Sequence, residues 1–433
     1  MPKNVFVVGL NELNHARLKR LRGVEDVTFH GVIDPTAIYD TDVWDIEAML
    51  AEAEERIAGA AGAAGTVDAI IGYIDFPVST MLPFLGPRFG VRSVGLEALL
   101  KCQHKYWSRL VQREAIPEAV PGFTWFDPFE DDVLDRIGAA GLTYPFFVKP
   151  VKSSGSWLGF RIDTSEDFAV AIEQIRAGIG TIAEPFDHVL ARADLPGAIR
   201  AVAGHACMAE QMIGGRQCTL EGYAQGGEVV VYGIVDSIRY AHVLSFSHYL
   251  YPSRLPEPVQ ERMRELARTV IAHIGYDDAA FNVEFFWDEI RDHVWLLEIN
   301  TRIAKDHCDL FEQVDGVSHQ QVTVDLGLGR RPDMPHREGA FAVSANFFHR
   351  VFQGDATVER CPTPAEIEAA EALAPGTRVA VHVREGMRLS ELPEQDAYSY
   401  AVAQVWLSAE DEETLLTNYA RVLEALPFRF SET

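Results

Sequence analysis

Two short apolar segments that each carry an acid constrain the fold more than any other feature of the chain. The segments Phe281–Trp287 and His293–Ile299 are β-prone, and the polar residues 288–292 between them predict the turn of a hairpin. Glu284 lies inside the first segment, and Glu298 lies near the end of the second. An acid inside an apolar strand is costly unless a charged group meets it. The pattern therefore favours a cation-binding site, and the alternative is a half-buried hairpin whose acids face water.

The end of this hairpin supplies a further oxygen ligand. Because side chains alternate along a strand, Glu298 and Asn300 are expected on the same side of the sheet. Carboxylate and carboxamide oxygens are hard donors, the ligand type that magnesium prefers and usually shares with substrate phosphates. Arg302, Lys305 and His307 follow closely, and these residues favour a functional site over a plain hairpin.

Length and charge limit the expected organisation, partners and location. The 433 residues exceed one ordinary domain and predict two to four packed units. A formal net charge of −26 disfavours nucleic acid and anionic membranes as partners, and it requires nearby Lys and Arg wherever an anion binds. No apolar run is long enough to span a bilayer, and the N-terminus lacks a signal-peptide layout, so a cytoplasmic protein is expected. The five cysteines show no metal-ligand spacing, which leaves zinc and a disulfide framework unsupported.

The N-terminal section, to about residue 100, alternates predicted strands and helices. Strands are predicted at residues 4–8, 27–33, 69–74 and 91–94. This alternation predicts a parallel, doubly wound sheet in a Rossmann-like unit. Gly9 does not open a G-x-G-x-x-G pattern, so the sequence predicts no dinucleotide site there.

Two basic motifs come next. Lys101, Lys105 and Arg109 recur every four residues, which predicts one face of a helix; a solvated basic stripe is the alternative. Further on, Lys149 lies near the end of a predicted strand and is followed by a Ser/Gly turn over residues 152–156. Small residues let backbone N–H groups approach a phosphate closely, and a lysine in the strand beneath can reach the same phosphate.

The remaining segments predict more strands and a C-terminal unit. Strands are predicted at residues 206–213, which contain Glu210, at 219–223, which contain Glu221, and at 229–236. Residues 341–433 are predicted to form a separate α/β unit, in which we find no catalytic constellation.

Taken in order, these motifs resemble the ATP-grasp superfamily. The segment LEINTRI, residues 297–303, is similar to biotin carboxylase and to carboxylate–amine ligases such as the L-amino-acid ligases. The resemblance covers roughly residues 1–330. It implies an α/β fold, α+β in parts, with a Rossmann-like pre-ATP-grasp domain (1–105), a lid subdomain (106–212), an antiparallel-sheet ATP-binding core with the magnesium site (213–335) and a C-terminal α/β subdomain (336–433).

The resemblance also implies roles for individual residues in binding ATP and magnesium or manganese. The residues that it assigns to ATP are Lys105, Lys149, Ser153, Ser154, Gly155, Ser156, Glu210, Gln211, Ile213 and Glu221. The lysines and the Ser/Gly loop would hold the phosphates, and the backbone of the strand after Glu210 would contact adenine. Glu210 would accept from the adenine amino group, and Glu221 would contact the ribose or the hinge. The implied metal ligands are Glu284, Glu298 and Asn300.

The implied reaction is ATP-dependent ligation of a small carboxylate to an amine through an acyl phosphate, with release of ADP and phosphate. Arg302 would stabilise the acyl phosphate and the tetrahedral intermediate, because both need a positive donor nearby. Asp306 or His307 would help to deprotonate the amine. The alternatives are a ligase that uses a thiol or a carrier protein, a biotin-carboxylase-like enzyme, and an inactive nucleotide-binding regulator. A homodimer is permitted but not required.

Overall fold

A computed structural model of the protein describes residues 2–39, 44–153, 155, 157–241, 243–352, 354–392, 395–396 and 398–431. The strands are β1 (Lys3–Val7), β2 (Val27–Gly31), β3 (Ala69–Ile71), β4 (Phe123–Phe126), β5 (Phe146–Pro150), β6 (Phe160–Ile162), β7 (Cys207–Gln211), β8 (Arg216–Gln225), β9 (Glu228–Arg239), β10 (Phe246–Tyr251), β11 (Ala279–Asp288), β12 (His293–Asn300), β13 (Val343–Val351), β14 (Val358–Arg360), β15 (Arg378–Val381), β16 (Tyr400–Ala409) and β17 (Arg429–Phe430).

The helices are α1 (Glu12–Leu18), α2 (Pro35–Tyr39), α3 (Ile46–Ala64), α4 (Val78–Phe89), α5 (Leu96–Gln103), α6 (Lys105–Ala115), α7 (Val133–Ala139), α8 (Ser165–Gly178), α9 (Gly180–Leu190), α10 (Gly197–Arg200), α11 (Glu257–Ile274), α12 (Cys308–Asp315), α13 (Gln320–Gly327), α14 (Pro364–Glu371) and α15 (Glu412–Glu424). Within the described ranges, none of them is long and apolar enough to cross a membrane.

The N-terminal strands form the predicted parallel sheet, in the order β2-β1-β3. Residues 91–94 do not form the predicted fourth strand. They follow the end of α4, where the N–H of Val91 donates to the carbonyl of Gly86 at 2.9 Å. This bond closes the helix C-terminus, with Gly90 in the left-handed conformation, so the segment continues a helix cap and joins no sheet.

A second, antiparallel sheet in the order β4-β7-β5-β6 carries the lysine motif and the Ser/Gly turn. Its apolar face packs on α8, whose first turn is closed by a capping box between Thr164 and Asp167. The register pairs Lys149 on β5 with Met208 on β7, and it pairs Phe147 with Glu210. The sheet therefore brings Lys149 and Glu210 onto neighbouring strands.

The central sheet is antiparallel and has the order β12-β11-β8-β9-β10-β13-β16-β15 in the described part of the chain. The predicted hairpin is confirmed as β11 and β12, with Glu284 opposite Glu298 and Asn282 opposite Asn300. Apolar side chains of β8, β11 and β12 pack against α5, α6 and α11 in one core. The two acids of the hairpin are not part of this apolar core, and Glu298 lines a cleft.

The C-terminal strands extend this sheet. Because β13 pairs with β10, and β16 joins β13 to β15, the expectation of a separate unit over residues 341–433 is wrong with respect to the sheet. Strand pairing between distant segments leaves no local sequence signal, whereas caps are local: a capping box at Thr363 opens α14, and Asp411 caps α15. The four domain boundaries stay a prediction.

Candidate active site

A cleft lies between α6, the end of β12 and the loop after β5. Its lining is rich in charged side chains from three parts of the fold. The polar lining residues are Asp75, Gln103, Lys105, Ser108, Arg109, Gln112, Lys149, Lys152, Ser153, Glu298, Asn300 and Thr301. Both predicted phosphate-binding lysines and two of the predicted metal ligands therefore share one cavity.

Lys105 lies at the start of α6, where its side chain reaches both the Ser/Gly turn and the hairpin. Its backbone N–H donates to the carbonyl of Val151 at 2.7 Å. Its ammonium group donates to the carbonyl of Ser153 at 3.0 Å and to Oε2 of Glu298 at 3.1 Å. Lys105 is thus positioned to bind an anion at the mouth of the Ser/Gly turn.

The prediction of one helical face for the three basic residues is wrong. The helix is interrupted at His104, which separates α5 from α6. Nδ1 of His104 caps α6 by accepting a hydrogen bond from the N–H of Trp107 at 3.2 Å. Lys101 consequently lies on α5 and pairs with Glu97 at 2.8 Å, while Lys105 and Arg109 share α6. Helix breaks at a histidine carry little sequence signal, since histidine is not among the preferred N-cap residues.

Lys149 and Arg109 meet at the buried carboxylate of Glu210. Lys149 Nζ lies 2.6 Å from Oε2 of Glu210, and the guanidinium of Arg109 donates to Oε1. Burial would raise the pKa of Glu210, but Arg109 and Lys149 lower it to about 2. Each carboxylate oxygen of Glu210 thus contacts a cation, and the adenine contact of Glu210 stays a prediction. The role supported here is to hold Lys149 in the cleft.

Two residues that the sequence did not single out as site residues also line the cleft. Lys152 is buried and lies 3.3 Å from Oδ1 of Asp75, with its ammonium group 5.4 Å from the ring of Phe76. Asp75 follows β3, near the carboxyl end of a parallel strand, where α/β sheets commonly bind ligands. The position of Asp75 after a predicted parallel strand is the sequence signal that could have identified it. Lys152 is buried by contacts with a segment far away in the sequence, and such contacts have no local sequence signal.

The three predicted metal ligands come together on the hairpin. Asn300 Nδ2 lies 3.2 Å from Oε1 of Glu284, and Glu284 stands opposite Glu298 in the register. Burial and the neighbouring Glu298 raise the pKa of Glu284. Burial would raise the pKa of Glu298 as well, but Lys105 and Lys149 keep it below its ordinary value.

This donor set fits a hard cation that completes its shell elsewhere. The described residues contain no cluster of three or more His, Cys, Asp or Glu that could hold a metal ion. Two carboxylates and one carboxamide suit magnesium, which keeps several waters and shares phosphate oxygens. A cation would also relieve the repulsion between Glu284 and Glu298, since two like charges at close range oppose ionisation.

Glu284 is supported by a second layer that sequence reasoning missed. Gln217 on β8 donates from Nε2 to Oε2 of Glu284 at 2.9 Å. Arg239 on β9 donates to Oε1 of Gln217 at 2.6 Å. Such outer partners orient the inner ligands of a metal site. Gln217 lies on β8, which pairs with β11, and Arg239 lies on β9, one strand further, so only the register of the sheet identifies them.

The segment that carries Arg302 is held by hydrogen bonds on both of its sides. Asn282 Nδ2 donates to the carbonyl of Arg302 at 3.2 Å. Glu221 Oε1 accepts from the N–H of Ala304 at 3.3 Å and from Nδ1 of His307 at 2.8 Å. The guanidinium of Arg302 lies 3.5 Å from Oδ2 of Asp75. Burial would lower the pKa of Arg302, but the negative charge of Asp75 keeps this pKa above its ordinary value.

These contacts correct the expected role of Glu221 at the ribose or hinge. Glu221 is 0% exposed, and its carboxylate anchors the segment after Arg302. His307 is also buried and packs edge-on against Tyr249, with ring centroids 4.9 Å apart, whereas Asp306 is half-buried. Arg302, Asp306 and His307 thus share one short segment beside the hairpin.

The expected nucleotide-binding backbone lies at the edge of the second sheet. The N–H of Gln211 donates to the carbonyl of Gly122 at 2.8 Å, while Ile213 follows the strand and is half-buried. In the Ser/Gly turn, Ser153 is buried and Gly155 has a φ of 60°, a conformation that favours glycine. Ser154 and Ser156 lie outside the described residues.

Comparison with known proteins identifies the central part of the chain. Residues 142–309 match the family described as ATP-grasp domain. Residues 142–309 are therefore similar to ATP-grasp domains. This match covers both the lysine strand and the acid-bearing hairpin, and it confirms the resemblance found in the sequence.

Curated relatives and solved structures agree with this assignment. A D-alanine–D-alanine ligase of Synechococcus sp. is 29% identical over 179 residues, which are 39% of this chain and 43% of that protein. One from Bifidobacterium longum subsp. infantis is 28% identical over 229 residues, 47% of this chain and 52% of that protein. The chain thus spans about half the length of the curated relatives it matches.

Structural similarity extends over almost the whole chain. An L-amino acid ligase from Bacillus licheniformis superposes with a TM-score of 0.73 at 16% identity and covers 99% of both chains. Biotin carboxylase from Campylobacter jejuni gives a TM-score of 0.62 at 15% identity, covering 98% of this chain and 92% of that one. At such identities the likeness establishes the fold, which is the predicted ATP-grasp fold.

Proposed function

We propose that the protein is an ATP-dependent carboxylate–amine ligase that forms an amide bond between small molecules through an acyl phosphate. The observation that carries the proposal is the convergence of Lys105, Lys149 and Lys152 with the acidic hairpin and Arg302 around one cleft. The family match and the names of the curated relatives, D-alanine–D-alanine ligases, support it. ATP and magnesium, or manganese, are the proposed cofactors.

Three lysines of the cleft are held by carboxylates at positions where they could bind a triphosphate. Lys105, Lys149 and Lys152 each contact a carboxylate, namely Glu298, Glu210 and Asp75 in that order. A protein with a net charge of −26 needs such local cations to bind an anionic nucleotide. The main chain around Gln211 and Ile213 is the proposed contact for adenine, since the Glu210 carboxylate is occupied by cations.

The first chemical step moves the γ-phosphoryl group to the substrate carboxylate. A carboxylate oxygen forms a bond to the γ-phosphorus while the bond from that phosphorus to the β–γ bridging oxygen breaks, and ADP leaves. Magnesium held by Glu284, Glu298 and Asn300 would neutralise phosphate charge when bound. The step needs in-line positioning and charge stabilisation more than acid–base chemistry, which suits the lysines and Arg302.

The second step is attack of the amine on the acyl carbon. Electrons move to the carbonyl oxygen to give a tetrahedral oxyanion, which Arg302 would stabilise as a positive donor. Collapse of that intermediate expels phosphate and leaves the amide. The amine must lose a proton, and Asp306 or His307 would accept it. Nδ1 of His307 donates to Glu221, so Nε2 is the ring atom left to take a proton.

The test is product analysis with a substrate pool. The protein is incubated with Mg²⁺-ATP and pooled amino acids, amines and small carboxylic acids, and ADP, phosphate, AMP and pyrophosphate are measured. We expect substrate-dependent ADP and phosphate, and hydroxylamine should trap the acyl phosphate as a hydroxamate. Formation of AMP and pyrophosphate, or no product above the substrate-free rate, would contradict the proposal.

A further inference from the structure

Asp75 brings a carboxylate from the N-terminal sheet into the nucleotide cleft. It lies four residues beyond β3, and its side chain is 18% exposed. Its Oδ1 accepts from Lys152 Nζ at 3.3 Å, and its Oδ2 lies 3.5 Å from Nη2 of Arg302. The Asp75 carboxylate therefore contacts Lys152 of the Ser/Gly turn with one oxygen and Arg302, two residues after Asn300, with the other.

The charge surroundings keep this carboxylate ionised. Burial alone would raise the pKa of Asp75, but Lys152, Arg302, the N–H of Phe76 and Lys105 together hold that pKa well below its ordinary value. A protonated Asp75 would lose its attraction for both cations. At neutral pH the Asp75 carboxylate between Lys152 and Arg302 is therefore ionised.

The Asp75 side chain makes few contacts within the N-terminal domain. Its core is an apolar cluster that includes Val5, Ile70 and Ile74, and Asp75 is not part of it. Inside its own domain the side chain accepts from the adjacent N–H of Phe76 at 2.7 Å. Its further partners in the described part of the chain, Lys152 and Arg302, belong to the cleft. The contacts of the Asp75 side chain thus lie mainly with residues of the cleft.

We propose that Asp75 is a positioning residue that fixes Lys152 and Arg302 relative to each other, so that the N-terminal domain takes part in phosphoryl transfer. This inference rests on the proposed function for the roles of Lys152 and Arg302. Lys152 follows β5 and Arg302 follows β12, in different sheets. A shared anion between them sets the distance at which both can act on the transferring phosphoryl group.

The first test compares Asp75→Asn with wild type in the pooled-substrate assay. The substitution keeps the shape and removes the charge, and displaced catalytic groups cost about 100-fold in rate. We expect kcat to fall by about that factor while KM for ATP changes less than about threefold. The matched control is Asp34→Asn, since Asp34 follows β2 of the same sheet, is exposed, and contacts Thr36. Asp75→Glu, which restores the charge, should recover much of the lost rate.

A double-mutant cycle tests whether Asp75 acts through Arg302. If it does, Asp75→Asn should lower kcat by a smaller factor in an Arg302→Lys background than in wild type, because one of the two groups that it positions is already altered. An equal loss in both backgrounds would overturn the inference, and so would a wild-type kcat in Asp75→Asn.

A binding measurement keeps this inference separate from the ligase reaction. Aluminium fluoride with Mg-ADP mimics a transferring phosphoryl group and needs no carboxylate or amine. By calorimetry, Asp75→Asn should weaken aluminium fluoride-dependent binding about tenfold and leave Mg-ADP binding unchanged. Silence of the wild type in the pooled assay would count against the proposed function alone. Unchanged aluminium fluoride binding by Asp75→Asn would count against the role of Asp75.

Discussion

Replacement of Glu298 by Gln separates a metal ligand from a structural acid. The carboxylate of Glu298 contacts Lys105 at 3.1 Å and stands opposite Glu284 on the hairpin. Glutamine keeps the size of the side chain and removes one negative charge. A metal site loses a ligand by this change, whereas the hairpin keeps its backbone pairing.

The structure indicates a small effect on stability. Lys105 loses a half-buried ion pair, which is worth about 1 kcal/mol at most, and it keeps the carbonyl of Ser153 as a partner at 3.0 Å. Repulsion between the two facing carboxylates disappears at the same time, which opposes that loss. We therefore expect the free energy of unfolding to change by less than about 1 kcal/mol.

The effect on turnover should be large. Loss of one preorganised charge at the transferring phosphoryl group typically costs about 100- to 1,000-fold in kcat, and we expect a loss in this range for Glu298→Gln. ADP release measures turnover, and urea unfolding measures stability. The matched control is Glu289→Gln, because Glu289 lies exposed in the turn of the same hairpin. Loss of cooperative unfolding in Glu298→Gln would show that the acid is structural, and near-normal turnover would refute its metal role.

Three further substitutions test other parts of the site. Arg302→Ala should lower kcat by about 100-fold or more while KM for ATP stays within about threefold; normal turnover with weakened ATP binding would exclude its role at the reacting centre. Lys152→Met should raise KM for ATP at least about tenfold, the value of one charge-assisted hydrogen bond, and an unchanged KM would remove it from the phosphate site. Glu210→Gln should destabilise the protein by about 3 kcal/mol in urea unfolding, because Arg109 and Lys149 remain buried without their anion. A stability equal to wild type would show that the pair of cations needs no anion.

Local patterns in the sequence predicted local structure well. The hairpin of β11 and β12 follows from two β-prone runs and a polar turn, and its acids and Asn300 fall on one face as alternation requires. The N-terminal parallel sheet likewise follows from alternating strands and helices. The ATP-grasp resemblance rested on the order of such motifs, and the family match confirms it.

Contacts between distant segments were the part that sequence could not supply. The pairing of β13 with β10 joins strands about a hundred residues apart, so the shared sheet was missed. Nothing local in the sequence shows that Arg109, which lies 101 residues away, reaches the carboxylate of Glu210. Asp75 and Lys152 meet only because the fold brings the end of β3 next to the Ser/Gly turn, which no local sequence pattern indicates.

The most direct test of the central claim follows the oxygen of the substrate carboxylate. The protein is incubated with Mg²⁺-ATP and a pool of amino acids and small carboxylic acids labelled with ¹⁸O in their carboxyl groups, and the products are analysed by mass spectrometry. If an acyl phosphate forms, the amine expels phosphate that carries one oxygen from the carboxylate, so each turnover should place one ¹⁸O in phosphate. Label in AMP, or unlabelled phosphate alongside amide product, would contradict the proposed mechanism.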